Sequence, residues 1–412
     1  MKKAYCSALS SATRKALKKI KAADIIVGIS SLNNAHTINY VVHQAAKALE
    51  TYFPERKSVI FVSDGGSTDG TLDVVNAIRL PSKAQLVSTT YVGVSGKGSA
   101  VKAIFEAAQL LEAEAVALLD SDLRSITPDW VKLLLSPIFA GAGFVAPLYV
   151  RHKYDGTITN FLCYPLTSSL YGKEIRQPIG GDFGLSIEFV QTLLESPLWR
   201  TPYVPRFGID IFETHTALAK EFKVKQAFLG TKIHEPKDPS KHLASMFREV
   251  VGSMFTCVEN YETSWKKVSG FQKVETVGEK KAFGTPEPVS VDLRNIMETY
   301  KKGFENYKKF YQTILPQDLF NKVEKLRKAK PEEFSLSSEA WAKIVYSFLV
   351  GFKRCKQFER EYVLDALRVL WIGKVGAFVK EALKLDDFEA ERKIRQEMET
   401  FRKLRNYLIE LY

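Results

Sequence analysis

The chain has 412 residues, 45% of them hydrophobic, enough to bury one large core and a smaller second one. Its 59 basic against 47 acidic residues leave a formal charge of +12, but no basic-aromatic repeat or nucleic-acid motif accompanies the excess. The charge therefore reads as steering of anionic substrates, with no nucleic-acid partner. Four widely spaced cysteines, Cys6, Cys163, Cys257 and Cys355, include no C-x-x-C pair, which argues against a zinc site or a disulfide framework and for reduced thiols. No signal-peptide core and no apolar run of about 18 residues is present, so a soluble, cytoplasmic protein without integral membrane association is expected.

A basic run (Lys2, Lys3, Arg14, Lys15, Lys18, Lys19, Lys21) opens the chain and reads as a solvated helix within residues 1–23. Residues 24–31 (DIIVGISS) form a first strand, and 33–49 the helix after it, with Thr37 as its cap. Residues 59–64 are a second strand ending in Asp64; two glycines follow, then Ser67-Thr68-Asp69, which can cap the helix LDVVNAI. A short third strand over 84–89 leads to the glycine-rich loop 93–98 (GVSGKG) and a helix over 100–113. That loop lacks G-x-G-x-x-G spacing, which disfavours hydride chemistry, and it is not a P-loop. Lys97, between two glycines, reads as a cation brought close to a diphosphate. The apolar run AEAVALL then reaches Asp120 and Asp122, and Thr127-Pro128-Asp129 starts the next helix. On a strand, residues i and i+2 face one way, so the two aspartates can present oxygens to one hard cation. Strand and helix alternate throughout, which predicts an open α/β sheet with ligand at the carboxyl ends of its strands.

Beyond residue 140 the polar residues again follow apolar runs. Arg151 ends the strand PLYV, where a guanidinium suits bidentate capture of a carboxylate or phosphate, and Thr159 could add a hydroxyl. Residues 177–181 (QPIGG) make a proline-glycine turn whose N–H groups could approach a sugar, with Asp182 as a further carboxylate. Residues 206–210 (RFGID) enter a helix whose first turn holds Asp210 and Glu213, ordinarily partners of the helix dipole. His234 follows the short strand KVKQAFLG; a neutral imidazole is a good ligand for a cation such as manganese. His215 and His242 are weaker candidates, and His36, His43 and His152 read as surface or capping residues.

The order DGGSTDGT, GKG, DSD and QPIGG resembles glycosyltransferases of the GT-A fold, which use a nucleotide-sugar donor and a divalent metal. Within that superfamily, Asp120-Ser121-Asp122 with Pro128-Asp129-Trp130, Arg151 with Thr159, Gln177 to Gly181, Gly208-Ile209-Asp210 and the GTKIH run ending at His234 resemble the retaining synthases that glycosylate glycerate or 3-phosphoglycerate. The likeness spans residues 24–260. It implies an α/β GT-A (Rossmann-like nucleotide-diphospho-sugar transferase) domain, with donor contacts from Ser31, Asn33, Asp64, Lys97, Asp120, Ser121, Gly180 and Gly181. It implies acceptor contacts from Arg151, Thr159 and Asp210, catalytic roles for Asp210 and Lys97, and Mn2+ or Mg2+ held by Asp122 and His234. Retaining transfer without a buried nucleophile favours front-face departure, in which the leaving diphosphate takes the proton. Asn33 is followed by Asn34 where the resembling families commonly carry an acid, so UDP-, GDP- and ADP-hexoses all stay open. Transfer to a polyprenyl phosphate or polysaccharide, or nucleotide-sugar binding without turnover, are the rival readings.

The last third differs in texture. Residues 266–290 are polar with scattered Gly and Pro and read as a linker, and from 291 to 412 helical periodicity dominates, over 296–315, 339–355, 361–383 and 388–412. The expected division is a basic helix in 1–23, the GT-A domain over 24–265, the linker, and a helical region over 291–412 that packs over the acceptor side or forms a homodimer.

Overall fold

The structure, a computed structural model, describes residues 7–81, 83–234, 239–279 and 284–412. Lys2, Lys3, Cys6 and the side chain of His242 lie outside the described residues. The chain forms two compact, discontinuous units: 1–150 with 179–237 and 274–286, and 151–178 with 238–273 and 287–412. The sequence had suggested contiguous domains. Residues 151–178 and 238–273 instead group with the C-terminal helices.

The strands in chain order are β1 Ile25–Ser31, β2 Ser58–Asp64, β3 Gln85–Thr90, β4 Ala115–Asp120, β5 Phe144–Val150, β6 Lys173–Glu174, β7 Gly184–Ser186, β8 Val224–Thr231, β9 Gln272–Lys273 and β10 Thr276–Val277. In the first unit eight of them pair in the order β10-β8-β5-β7-β4-β1-β2-β3. All pairs are parallel except those of β7 with β4 and β5. β1 is buried at Ile25, Ile26, Val27 and Ile29, as a parallel strand covered on both faces must be. Helices Ile38–Tyr52 and Pro128–Phe139 supply Val41, Val42, Ala45, Leu134 and Leu135 to the core on one side. Helix Lys97–Leu110 packs on β1 and β2. Register places Ser31 beside Asp64 and Ser30 beside Asp120, so three strands end level at one edge. That edge is where crossover connections leave room for a ligand.

Several local expectations change. Helix Thr71–Ala77 is preceded by Gly70 in left-handed conformation with no side-chain cap, because Asp69 Oδ1 instead accepts from the Thr71 N–H at 3.0 Å and from its hydroxyl at 2.5 Å. Thr37 stands at the start of its helix without a capping bond and donates its hydroxyl to Ser121 O at 2.8 Å. Lys97 is the first residue of a helix and not a loop residue. β4 stops at Asp120, so strand alternation does not extend to Asp122, which lies in the turn beyond. The polar segment read as a linker contributes β9 and β10, the latter extending the large sheet beside β8; two-residue strands are too short to show alternation.

The second unit is helical, built from Pro239–Asn260, Glu262–Lys266, Leu293–Ile314, Gln317–Lys328, Ser338–Arg354, Arg360–Ala382, Asp387–Lys403 and Arg405–Leu411, with residues 151–178 and the β6–β9 pair. The amphipathic periodicity of the last third is thus realised as packed helices, and Gln317–Lys328 adds one beyond those expected from the periodicity. Buried aromatic side chains also find polar partners: Trp341 Nε1 donates to Phe161 O and Tyr346 Oη to Phe401 O, both at 2.7 Å. Cys163, Cys257 and Cys355 are free thiols. Among the described residues no helix is long and apolar enough to cross a membrane.

Candidate active site

Three carboxylates and two ammonium groups meet at the carboxyl edge of the first unit. Lys97 Nζ lies 2.9 Å from Asp120 Oδ1 and 3.2 Å from Asp210 Oδ1. Lys232 Nζ takes the other oxygen of Asp120 at 2.8 Å, together with Asp182 Oδ2 at 2.8 Å and Gly180 O at 2.9 Å. Asp182 Oδ1 accepts the Asp120 N–H at 2.8 Å, and Asp182 Oδ2 also accepts the Tyr149 hydroxyl. Lys97 and Asp210 are brought together by backbone: Gly98 N donates to Arg206 O and Ser99 N to Pro205 O, which clamps the start of one helix onto the segment leading into Ile209–Ala219.

The charges are coupled. Burial alone disfavours the Lys97 ammonium, but Asp120 and Asp210 outweigh it and hold its pKa well above the ordinary lysine value. Burial raises the Asp210 carboxyl and Asp120 adds to the rise, while Lys97 opposes both. Asp182 is also raised by burial, against the pull of Lys232. Glu213, one turn on from Asp210, is pushed well above the usual carboxylate range by burial and then by the Asp210 charge.

Gly181 is required where it stands. Its φ is +86°, and a Cβ there would come within 2.4 Å of Asp120 Oδ2, so only glycine lets the turn after Gly180 lie against that carboxylate. Asp182, read from sequence as available to donor hydroxyls, is 0% exposed and engaged by Asp120 N, Tyr149 and Lys232.

Ser31, Asn33, Asp64 and Ser121 gather in one hydrogen-bonded wall at the ends of β1, β2 and β4. Asp64 accepts from Ser31 Oγ at 2.7 Å, Ser67 Oγ at 2.6 Å, Gly66 N at 2.8 Å and Ser67 N at 2.7 Å. Asn33, at φ +56°, donates its N–H to Ser67 Oγ and accepts from Thr68 N, and Ser121 Oγ donates to Asn34 Oδ1. The Asp64 carboxylate is buried and fully occupied in shaping this wall.

Asp122 and His234 sit on adjacent chain segments. An antiparallel bridge pairs Leu123 with His234, Arg124 N donates to Ile233 O at 2.9 Å, and Asp122 is 5% exposed. Among the described residues no three of His, Cys, Asp and Glu converge on a cation-sized point. The donor set here is one carboxylate and one imidazole on neighbouring segments, which fits a cation completed by diphosphate oxygens and water and not a self-sufficient metal cage. His215 is 0% exposed, and burial drives its pKa down to about 3, so it is a neutral core residue.

Arg151 and Thr159 belong to the second unit. Arg151 Nε lies 2.8 Å from Asp155 Oδ2. Between them Gly156, at φ +66°, would carry a Cβ 3.3 Å from Arg151 Nη1 and 3.9 Å from Thr159 Oγ1, so both side chains border one glycine. The segment is anchored by Lys153 Nζ on Ala382 O at 2.9 Å and Leu385 O at 2.6 Å, and by Trp371 Nε1 on Thr157 O at 3.3 Å. In the sequence Lys232 stands out only as part of the GTKIH run, with no role of its own implied. The usable signal was a lysine directly after a mostly apolar strand, where a charge stays buried only beside carboxylates.

Residues 26–182 match the family model described as Glycosyl transferase family 2. No curated protein matches the chain. Among solved structures it is similar to glucosyl-3-phosphoglycerate synthase from Mycobacterium tuberculosis in complex with phosphoglyceric acid, at 23% identity, covering 60% of this chain and 85% of that chain, with a TM-score of 0.46. The same enzyme in complex with Mn2+, uridine-diphosphate-glucose and phosphoglyceric acid is similar at 22% identity over 61% of this chain and 85% of that chain, TM-score 0.45. Its complex with Mg2+ and uridine-diphosphate gives 23%, 59%, 83% and 0.45 in the same order.

Proposed function

We propose, on the match of residues 26–182 to the glycosyl transferase family 2 model and on the largely parallel α/β sheet that carries them, that the protein transfers glucose or mannose, with retention, from a nucleotide sugar to glycerate or 3-phosphoglycerate. The observation that carries the reading is the Lys97 ammonium shared between Asp120 and Asp210 at the carboxyl edge of the sheet. A cation held there between two carboxylates can exchange one of them for a diphosphate oxygen without being buried unpaired.

In this reading Lys97 moves to the leaving diphosphate and stabilises the charge that develops on it. Asp120 keeps its place during that exchange because Lys232 holds its second oxygen. Asp210, freed from Lys97, accepts a hydrogen bond from the acceptor hydroxyl and aims it at the sugar carbon. The leaving diphosphate oxygen takes the hydroxyl proton on the same face, so no covalent sugar-enzyme intermediate is needed. Asp122 and His234 would hold Mn2+ or Mg2+, which when bound supplies positive charge to the diphosphate. Arg151, with Thr159, takes the acceptor's anionic group through its planar fork, which favours a small acid over a neutral sugar.

The test is release of nucleoside diphosphate from UDP-, GDP- and ADP-linked glucose and mannose, each with glycerate and 3-phosphoglycerate, with Mn2+ and with Mg2+. One donor should be discharged faster with a small acid than without it. Discharge that no acid accelerates would overturn the acceptor, and no discharge from any donor would overturn the function.

A further inference from the structure

Helix Ile209–Ala219 carries a second carboxyl behind Asp210. Glu213 is three residues on, and so on the same helical face. It is 0% exposed, and neither of its oxygens has a hydrogen-bond partner among the described residues. The charged groups facing it are Asp210 on its own helix, Lys97 at the start of Lys97–Leu110 and Asp120 at the end of β4. Of the other elements packed substantially against this helix, Ile187–Leu194 bears Glu188 at the exposed surface, and β5 bears only Tyr149, already committed to Asp182. A buried carboxyl with no donor sheds its charge by taking up a proton. Glu213 is therefore a neutral acid with an O–H it does not spend, at a position a leucine would fill at lower cost.

We propose that Glu213 is a positioning residue for Asp210: when the donor diphosphate draws Lys97 away, the neutral Glu213 carboxyl donates its O–H to the Asp210 carboxylate and keeps that group oriented toward the acceptor hydroxyl. The inference rests on the proposed function, since it needs a diphosphate to move Lys97. It explains how Asp210 can lose its counter-ion in mid-reaction and stay in place. The hydrogen bond to a neutral acid substitutes for the ion pair without cancelling the charge that Asp210 uses.

Two variants test it. Glu213→Gln keeps shape and an N–H donor, and should retain kcat within about threefold. Glu213→Leu keeps volume without a donor, and should lose about tenfold or more in kcat with donor KM changed by less than about threefold. Wild-type kcat should fall at alkaline pH as Glu213 ionises, and the Gln variant should lack that limb. A second readout needs no turnover. An acid whose folded pKa lies above its unfolded value of about 4.3 weakens the fold as pH rises from that value through the folded one. Glu213→Gln should therefore melt with the wild type near pH 5 and roughly 2–4 °C above it near pH 8. An active wild type matched by Glu213→Leu, a Gln variant as impaired as the Leu variant, or identical melting at both pH values would overturn the inference. A wild type that discharges no nucleotide sugar would overturn the proposed function instead.

Discussion

Lys232 and Asp182 form a buried ion pair, Nζ to Oδ2 at 2.8 Å with side chains 5% and 0% exposed, and the same ammonium holds Asp120 at 2.8 Å. One lysine thus neutralises the fully buried carboxylate of Asp182 and fixes the one that also pairs with Lys97. Lys232→Met should leave both aspartates uncompensated in a low-dielectric setting and cost about 3–5 kcal/mol of stability. Urea denaturation of the variant measures this; an unchanged midpoint and slope would show that the pair is not buried in solution.

The metal assignment makes a separable prediction. EDTA should abolish turnover while far-UV circular dichroism is unchanged, because the backbone bridge between Leu123 and His234 holds the two segments together without a cation. Asp122→Ala should lose about 100-fold or more in kcat if the cation carries leaving-group charge. Full activity in excess chelator, or a loss below about tenfold, would place the cation elsewhere or remove it.

Where periodicity is long the sequence was readable: the four strands through Ala115–Asp120, the helices between them and most of the last third were found within a few residues. The strand ends were legible where polar residues follow apolar runs, as at Asp64, Asp120 and Arg151. Three features were not. The burial of Asp182 and the hub role of Lys232 depend on the antiparallel β7 lying between β4 and β5, a three-residue strand whose pairing leaves no local signature. Glu213 looked like an ordinary partner of the helix dipole, and its isolation is visible only once neighbouring elements surround it. The interleaving of the two units, with residues 151–178 joining the C-terminal helices, is a long-range choice that composition does not record.

That interleaving predicts the outcome of truncation. A chain ending after Lys273 keeps residues 151–178 and 238–273 but loses the helices that accept them, including Trp341 on Phe161 and the two-pronged contact of Glu391 with Arg176 at 2.9 and 2.8 Å. It also loses β10 from the edge of the sheet. It should aggregate or be recovered only from inclusion bodies. A monodisperse, fully active truncated chain on size-exclusion chromatography would contradict this.

On the proposed function, Arg151 is the residue expected to select the acceptor. Arg151→Ala should lower kcat/KM for the acid by roughly 2–4 kcal/mol equivalent while donor affinity is little changed, and Arg151→Lys should recover only part, since an ammonium keeps the charge and loses the fork. Steady-state constants for both substrates in both variants decide it; an Arg151→Ala enzyme with normal use of glycerate and 3-phosphoglycerate would remove the acceptor assignment.

The most direct test of the central claim is proton NMR of the product as it forms from the discharged nucleotide sugar with glycerate or 3-phosphoglycerate. The expected product is a new hexosyl glycoside of the acid whose anomeric coupling matches the donor's configuration from the first turnovers. An inverted glycoside, or free sugar as the sole product with either acid present, would contradict it.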